Sequence, residues 1–318
     1  MEAALVNPVQ DQAEGLRRLL VQDSNLHAAT VISGNMGAGK TIAVINLAAA
    51  LVRSGKKVLI IDENASASNL GGTLGLSAHR DLLDVIRRDM AFDKVLIEHY
   101  DGFSILPAGR GMRVLDKLNP DDQSHLTDAF GCLMPPMDVI LVDAAPGHAS
   151  KLLSLVFPCH EIVVLVSSQP ASITAAYALI KRISGNGDSQ RFRVLVNKVN
   201  GATEAKKIFD NMARVANRYL SVSLDFIGFI PPDDKLRQSI RRGRAVMDLF
   251  PASESAIAFG RAAESLFNWT PEDANNGGMR GFMQSLTRIA GDQSGQQHPD
   301  QHAKQDGATI QKAEGDHV

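Results

Sequence analysis

The sequence predicts an α/β fold, a mostly parallel sheet covered by helices on both faces. Short runs of Val, Ile and Leu recur between residues 28 and 269, and longer stretches with helical spacing separate them. A glycine-rich turn, Gly34-Asn-Met-Gly-Ala-Gly-Lys-Thr41, joins the first run to the first helical stretch.

The predicted strands are "TVIS" at 30–33, "KVLII" at 57–61, "FSIL" at 103–106, "DVILV" at 138–142, "EIVVLV" at 161–166, "FRVLV" at 192–196 and "LDFIGFI" at 224–230. Near-continuous apolar runs of this kind suit strands buried on both faces. Helices are predicted at 40–54, 79–90, 121–133, 171–184, 203–219 and 253–268. Functional groups are then expected at the carboxyl ends of the strands.

Length and composition bound the rest. The chain has 318 residues, 44% of them apolar, enough for a sizeable core. Thirty-three basic and 35 acidic residues leave a formal charge of −2, so no direct nucleic-acid binding is expected. The two cysteines, Cys132 and Cys159, lie in or beside apolar stretches and read as reduced core thiols of a cytoplasmic protein. No basic-then-apolar signal segment opens the chain, and no run of about 18 apolar residues crosses a membrane. His79, His99, His125 and His148 show no metal spacing and read as solvated or turn residues; Tyr219 and Trp269 read as structural. The basic cluster "IRRGR" at 240–244 reads as surface and interface.

The expected organisation is a leader at 1–27, a dense domain at 28–269 and a polar stretch at 270–318. The last part, rich in Gly, Gln, Asp and His, buries too little apolar surface to offset its ordering entropy and is predicted to be disordered. Within it, Met279, Phe282, Met283, Leu286 and Ile289 share one helical face flanked by Arg280 and Arg288. That pattern at 279–290 suits a short helix lying in a membrane interface, or one docked on the core or a partner.

Strand, glycine loop and helix follow one another as a phosphate-cradling Gly-x-x-x-x-Gly-Lys-Thr motif requires. Gly34, Gly37 and Gly39, with Ala38 between, let the backbone turn and aim its N–H groups at phosphate oxygens. The helix beginning at Lys40 adds its positive end. Lys40 is expected to reach the β and γ phosphates, and Thr41 to hold Mg²⁺ through its hydroxyl. Asp62 and Asp143 end two strands and can hold the metal's water shell or orient the attacking water; Asp143, followed by "APG", is the better metal-side candidate. Capping a turn is the alternative for both. Asn197, which ends "FRVLVN", can read a base edge or bond to backbone. Asn200, where a guanine reader would place a carboxylate, weakens GTP as ligand.

With these residues in view, the chain resembles the MinD/ParA group of deviant-Walker ATPases, over about 28–269. The likeness rests on the phosphate loop, "VLIIDENASASNLGGTLGL", "DVILVDAAPG", "VNKVN" and "IGFIPPDDKLRQSIRRGRAVMDLFP". The leader segment Asp11-Gln12-Ala13-Glu-Gly-Leu16-Arg17 is similar to one found in the flagellar number regulators of this group. The resemblance implies ATP and Mg²⁺ as cofactors and a homodimer that sandwiches the nucleotides. It also implies peripheral membrane contact, and a role in flagellar number, placement and assembly. The leader, through Asp11, Gln12, Ala13, Leu16 and Arg17, would stimulate a signal-recognition-particle-like flagellar GTPase, and a flagellar transcription activator is a further partner. The leucines Leu16, Leu19 and Leu20 give that segment an amphipathic face that can order on a partner or pack back on its own domain.

The chain departs from the group at two positions. Asn35 stands where the group keeps its signature lysine, and Asn64 where it keeps a water-activating aspartate. Asn35 supplies no charge to a transferring phosphoryl group, and Asn64 is a very poor general base. Glu63 is the nearest substitute, but strand alternation aims it elsewhere. The expectation is therefore nucleotide binding with weak or absent hydrolysis. A nonenzymatic scaffold or antiactivator of flagellar gene expression, and a DNA-partitioning ATPase, are the alternatives.

Overall fold

The computed structural model describes residues 26–65, 69–77, 79–133, 136–145, 159, 161–185, 191–220, 222–267 and 278–295. The leader candidates Asp11, Gln12, Ala13, Leu16 and Arg17 lie outside the described residues, as do His148, Trp269, the Pro-Gly of the turn after Asp143, and the stretch 296–318.

Each of the seven apolar runs forms a strand: β1 His27–Ser33, β2 Val58–Asp62, β4 Ser104–Pro107, β5 Val139–Asp143, β6 Glu161–Ser167, β7 Arg191–Asn197 and β8 Leu224–Ile230. An eighth, β3 Ile97–Glu98, is too short to show a period in sequence; it pairs antiparallel with β4 at the sheet edge. All other pairings are parallel, and the order is β3-β4-β2-β5-β1-β6-β7-β8.

Parallel strands need covered faces, and the pleat assigns the cover. Ile60 joins the cluster under helices α1 (Lys40–Arg53) and α9 (Glu254–Phe267), whereas its neighbours Leu59 and Ile61 join the opposite one. Helices α2 (Leu70–Thr73), α7 (Asp234–Arg241) and α8 (Val246–Leu249) are short connectors. Helices α3 (Leu82–Ile86) and α4 (Pro120–Gly131) cover β2, β4 and β5 on the second face. Helices α5 (Pro170–Ser184) and α6 (Ala202–Leu220) cover β6 and β7 on that same face.

Helix α3 is much shorter than the predicted 79–90. Asp81 starts it late with a reciprocal capping box to Asp84, and Arg88 at φ 63° has already left helical geometry. Helix α4 starts at the predicted place because Asn119 accepts the Asp122 N–H and Pro120 needs no donor partner.

Of the two placements open to the segment at 279–290, the structure shows the docked one. Helix α10 (Gly278–Gly295) is longer than 279–290, and Met279, Phe282, Met283 and Leu286 are at most 3% exposed. They pack with Leu115, Leu126 and Phe130 in the core beneath β2 and β5. Arg280 pairs with Asp128 at 2.8 Å beside that contact. The apolar face is thus already buried by protein, which gains the same transfer energy a membrane would offer.

His99 sits at a turn, its carbonyl accepting the Gly102 N–H, but it is not solvated: it is buried, stacked on Phe103, with Nε2 at 3.1 Å from the Gly243 carbonyl oxygen. Cys159 is a core thiol, its pKa pushed up to about 12 by burial, whereas Cys132 is exposed; both are free. Among the described residues no helix is long and apolar enough to cross a membrane.

Candidate nucleotide site

The parallel register brings the candidate groups to one end of the sheet. Asp62 and Asp143 stand opposite each other across β2 and β5, and Asn197 stands opposite Ser167 across β7 and β6. The loop leaves β1, the strand between β5 and β6, so chains on its two sides diverge and open a crevice there.

Sterics fix the glycines. A Cβ on Gly34 would lie 2.3 Å from the backbone of Ala175, because α5 runs directly against the loop. Gly39, at φ 95°, precedes α1, and a Cβ there would lie 2.5 Å from Asn197 Nδ2. No side chain caps α1 and its first turn has no acidic residue, so its N-terminal N–H groups are left for an anion.

The polar centre is tightly connected. Lys40 is 8% exposed and its ammonium pairs with Asp143 Oδ1. Thr41 Oγ1 donates to Asp143 Oδ2 at 2.8 Å. A hydroxyl and a carboxylate so placed are hard oxygen donors that fit Mg²⁺, which keeps most of its shell as water and phosphate. Mg²⁺ bound there would neutralise phosphate charge; Thr41 and Asp143 would hold it, freeing Lys40 to turn towards the phosphates. Among the described residues no group of three or more His, Cys, Asp or Glu is arranged to hold a metal by protein ligands alone.

Asp62 is 3% exposed, and its two oxygens accept the N–H groups of Asn64 at 3.0 Å and Leu70 at 2.8 Å. Burial, then the charge of Asp143, raises its pKa to about 7, against the pull of those N–H bonds and Lys40. It therefore organises the loop after β2 beside the Asp143 centre. Asn64 lies half-buried in that loop. Asn35 is half-buried at the tip of the phosphate loop, and its Oδ1 is buried without a hydrogen-bond partner. Met36 beside it is 80% exposed.

Asn197 is committed to the loop rather than to open space. Its Nδ2 donates to Ala38 O at 2.7 Å and its Oδ1 accepts the Lys198 N–H at 3.0 Å. Two residues take contacts that sequence reasoning did not assign to them. Glu63 is buried, and its Oε2 accepts the Ala145 N–H at 2.7 Å, tying the loop after β2 to the loop after β5. Strand alternation fails there because β2 ends at Asp62. Lys198 reaches the phosphate loop, its Nζ donating to Gly37 O at 2.7 Å; the signal was its place directly after a strand-end asparagine.

Beside Gly39 and Ile42 opens a cavity of about 470 Å³, walled by Asn197, Lys198, the Pro231–Pro232 pair and α7. A cavity adjoining a phosphate loop is where the rest of a nucleotide fits.

A family model described as the CobQ/CobB/MinD/ParA nucleotide binding domain matches residues 29–246. The chain belongs to this family. Among MinD/ParA relatives, the antiactivator FleN of Pseudomonas aeruginosa is 34% identical over 271 residues, 84% of this chain and 96% of that protein. The flagellum site-determining protein YlxH of Helicobacter pylori is 26% identical over 241 residues, 74% of this chain and 81% of its own. The MinD cell division protein of Aquifex aeolicus shares the fold with a TM-score of 0.60 at 24% identity, over 77% of this chain and 98% of that one. The septum site-determining MinD of Pyrococcus horikoshii, solved with Mg-ADP, has a TM-score of 0.59 at 20% identity, over 76% and 96%.

Proposed function

We propose that this MinD/ParA-family chain is an ATP-binding regulator of flagellar number, placement and assembly whose own hydrolysis is weak. The observation that carries the nucleotide part is the Lys40–Asp143–Thr41 cluster beneath an uncapped helix start. Likeness to FleN and YlxH supports the flagellar part. Weak hydrolysis follows from Asn35 and Asn64: Lys40 and the helix end still attract phosphate, but position 35 carries no cation and no carboxylate stands at position 64.

The same reading extends to partners. A dimer that sandwiches two nucleotides would face its partner with Asn35 and Met36 at the loop tip. The leader segment Asp11–Arg17 would engage a signal-recognition-particle-like flagellar GTPase, and a flagellar transcription activator is a second partner. Membrane contact through α10 requires the helix to leave its seat on Leu126 and Phe130.

Calorimetric titration of the full chain with a nonhydrolysable ATP analogue and Mg²⁺ tests the core of this reading. Saturable micromolar binding is expected, together with phosphate release from ATP slower than one turnover per minute. Absence of binding by folded protein would make the chain a scaffold; faster turnover would overturn the account of Asn35 and Asn64.

A further inference from the structure

Strands β2 and β5 part with one rung of their ladder made by a side chain. Asp62 stands opposite Asp143 in the register, and the Glu63 N–H still donates to Asp143 O at 3.2 Å. In a continued parallel ladder Glu63 would also accept the Ala145 N–H through its own backbone carbonyl. Its carboxylate takes that place, Oε2 accepting at 2.7 Å. A buried charge is costly unless it is hydrogen-bonded, and Glu63 is only 8% exposed. The bond from Ala145 is of the charge-assisted kind, stronger than the backbone rung it replaces.

This rung lies between two loops that the backbone alone would leave separate. On the β5 side, Asp143 meets Lys40 and Thr41 of α1 through its carboxylate and Glu63 through its carbonyl. On the β2 side, Asp62 accepts the N–H groups of Asn64 and Leu70 and so closes the loop 64–70. Asn69 then starts α2 by accepting the Gly72 N–H at 2.7 Å. Glu63 is covalently joined to both Asp62 and Asn64 while it holds Asp143 O and the Ala145 N–H. A backbone rung would join strand to strand only. A side-chain rung joins the loop after β5 to a residue whose backbone has already turned into the loop after β2. A shift of Asp143 and Ala145 is therefore passed to 64–70 through bonded contacts.

The geometry points to Glu63 as a positioning residue: its carboxylate couples the loop after β5 to the loop after β2, so that a nucleotide held at Lys40, Thr41 and Asp143 sets where Asn64 stands. The nucleotide state of the site is then read out in the loop that leads to α2, and the readout passes through one side chain. The inference rests on the nucleotide-site reading proposed above.

Full-length wild type, Glu63→Ala and Glu63→Gln are compared by amide hydrogen exchange, with and without a saturating nonhydrolysable ATP analogue plus Mg²⁺. Exchange reports local opening, so in wild type the analogue is expected to slow it both in the phosphate loop, 34–41, and in 64–70. Glu63→Ala is expected to keep the slowing at 34–41 and to lose most of it at 64–70. Glu63→Gln, whose side-chain oxygen can still accept the Ala145 N–H, is expected to recover it. Slowing at 64–70 that persists in Glu63→Ala, or slowing at 34–41 alone in wild type, overturns the inference and leaves the nucleotide site standing. Loss at 34–41 as well in Glu63→Ala makes the residue part of phosphate binding rather than a coupling, and overturns it. Loss at 64–70 in both variants with a fall in melting temperature reduces Glu63 to a structural brace and also overturns it. Failure of the wild type to show slowing in either segment overturns the site reading and this inference together.

Discussion

At the scale of single residues, the proposed site joins a phosphate end at Lys40 and Thr41 to a hydrolytic end that we propose is weakened at Asn35 and Asn64. Lys40 is the buried cation opposite Asp143, so Lys40→Met should abolish binding of the ATP analogue by calorimetry. The weakened end should be repairable. Asn35→Lys with Asn64→Asp restores a charge and a base, and general-base catalysis is worth roughly 10²–10⁴-fold. The double variant should release phosphate at least ten-fold faster than wild type in a Mg²⁺-dependent assay. Asp62 makes a pH prediction. Its folded pKa is raised from 3.8 to about 7, so the folded state holds that proton more tightly than the unfolded chain. Its contribution to stability is fully present below about pH 4 and is lost as pH rises to about 7. Histidines act in the opposite sense, since burial lowers the pKa of His99 and His27. The comparison must therefore be with Asp62→Asn, which keeps both histidines: the wild type should lose melting temperature relative to the variant between pH 4 and pH 7.

At the scale of elements, two helices connect the site to the rest of the fold. Helix α1 carries the buried Asn46, which donates to Ile42 O and accepts the Val246 N–H, both at 2.8 Å. Removing it orphans a buried N–H, so Asn46→Ala should cost about 1–3 kcal/mol in denaturant unfolding. Helix α10 contributes Phe282, fully buried beneath the sheet. Phe282→Ala should cost about 3–5 kcal/mol and raise hydrogen exchange in α4, against which α10 packs. If α10 lay free of the core, the substitution would leave the exchange of α4 unchanged.

At the scale of the whole molecule, the described candidate groups of the nucleotide site sit at the carboxyl end of the parallel strands, and the two flanks of β1 open there. A dimer built on that end would bring two phosphate loops together. Light scattering with and without the ATP analogue and Mg²⁺ should show a monomer converting to a dimer. If the proposed leader role holds, deletion of 11–20 should leave nucleotide affinity unchanged and remove stimulation of a signal-recognition-particle-like flagellar GTPase; unchanged activity of that GTPase would end the role for the leader.

The sequence alone determined the seven long strands, the helix after the phosphate loop, and the identities of Lys40, Thr41, Asp62 and Asp143. Each of these is written locally, as a period, a glycine spacing or a strand-end residue, and local sterics act on neighbours in the chain. Only the tertiary structure decided what met across the chain. The face of α10 reads the same whether lipid or protein covers it, because burial depends on apolar area and not on its partner. Glu63 turns to Ala145 because β2 stops one residue before it, and alternation holds only within a strand. Asn197 and Lys198 close on the phosphate loop from about 160 residues away, through hydrogen bonds of 2.7 Å that depend on strand order. No pattern in the sequence specifies such distances until the sheet has brought the strand ends together.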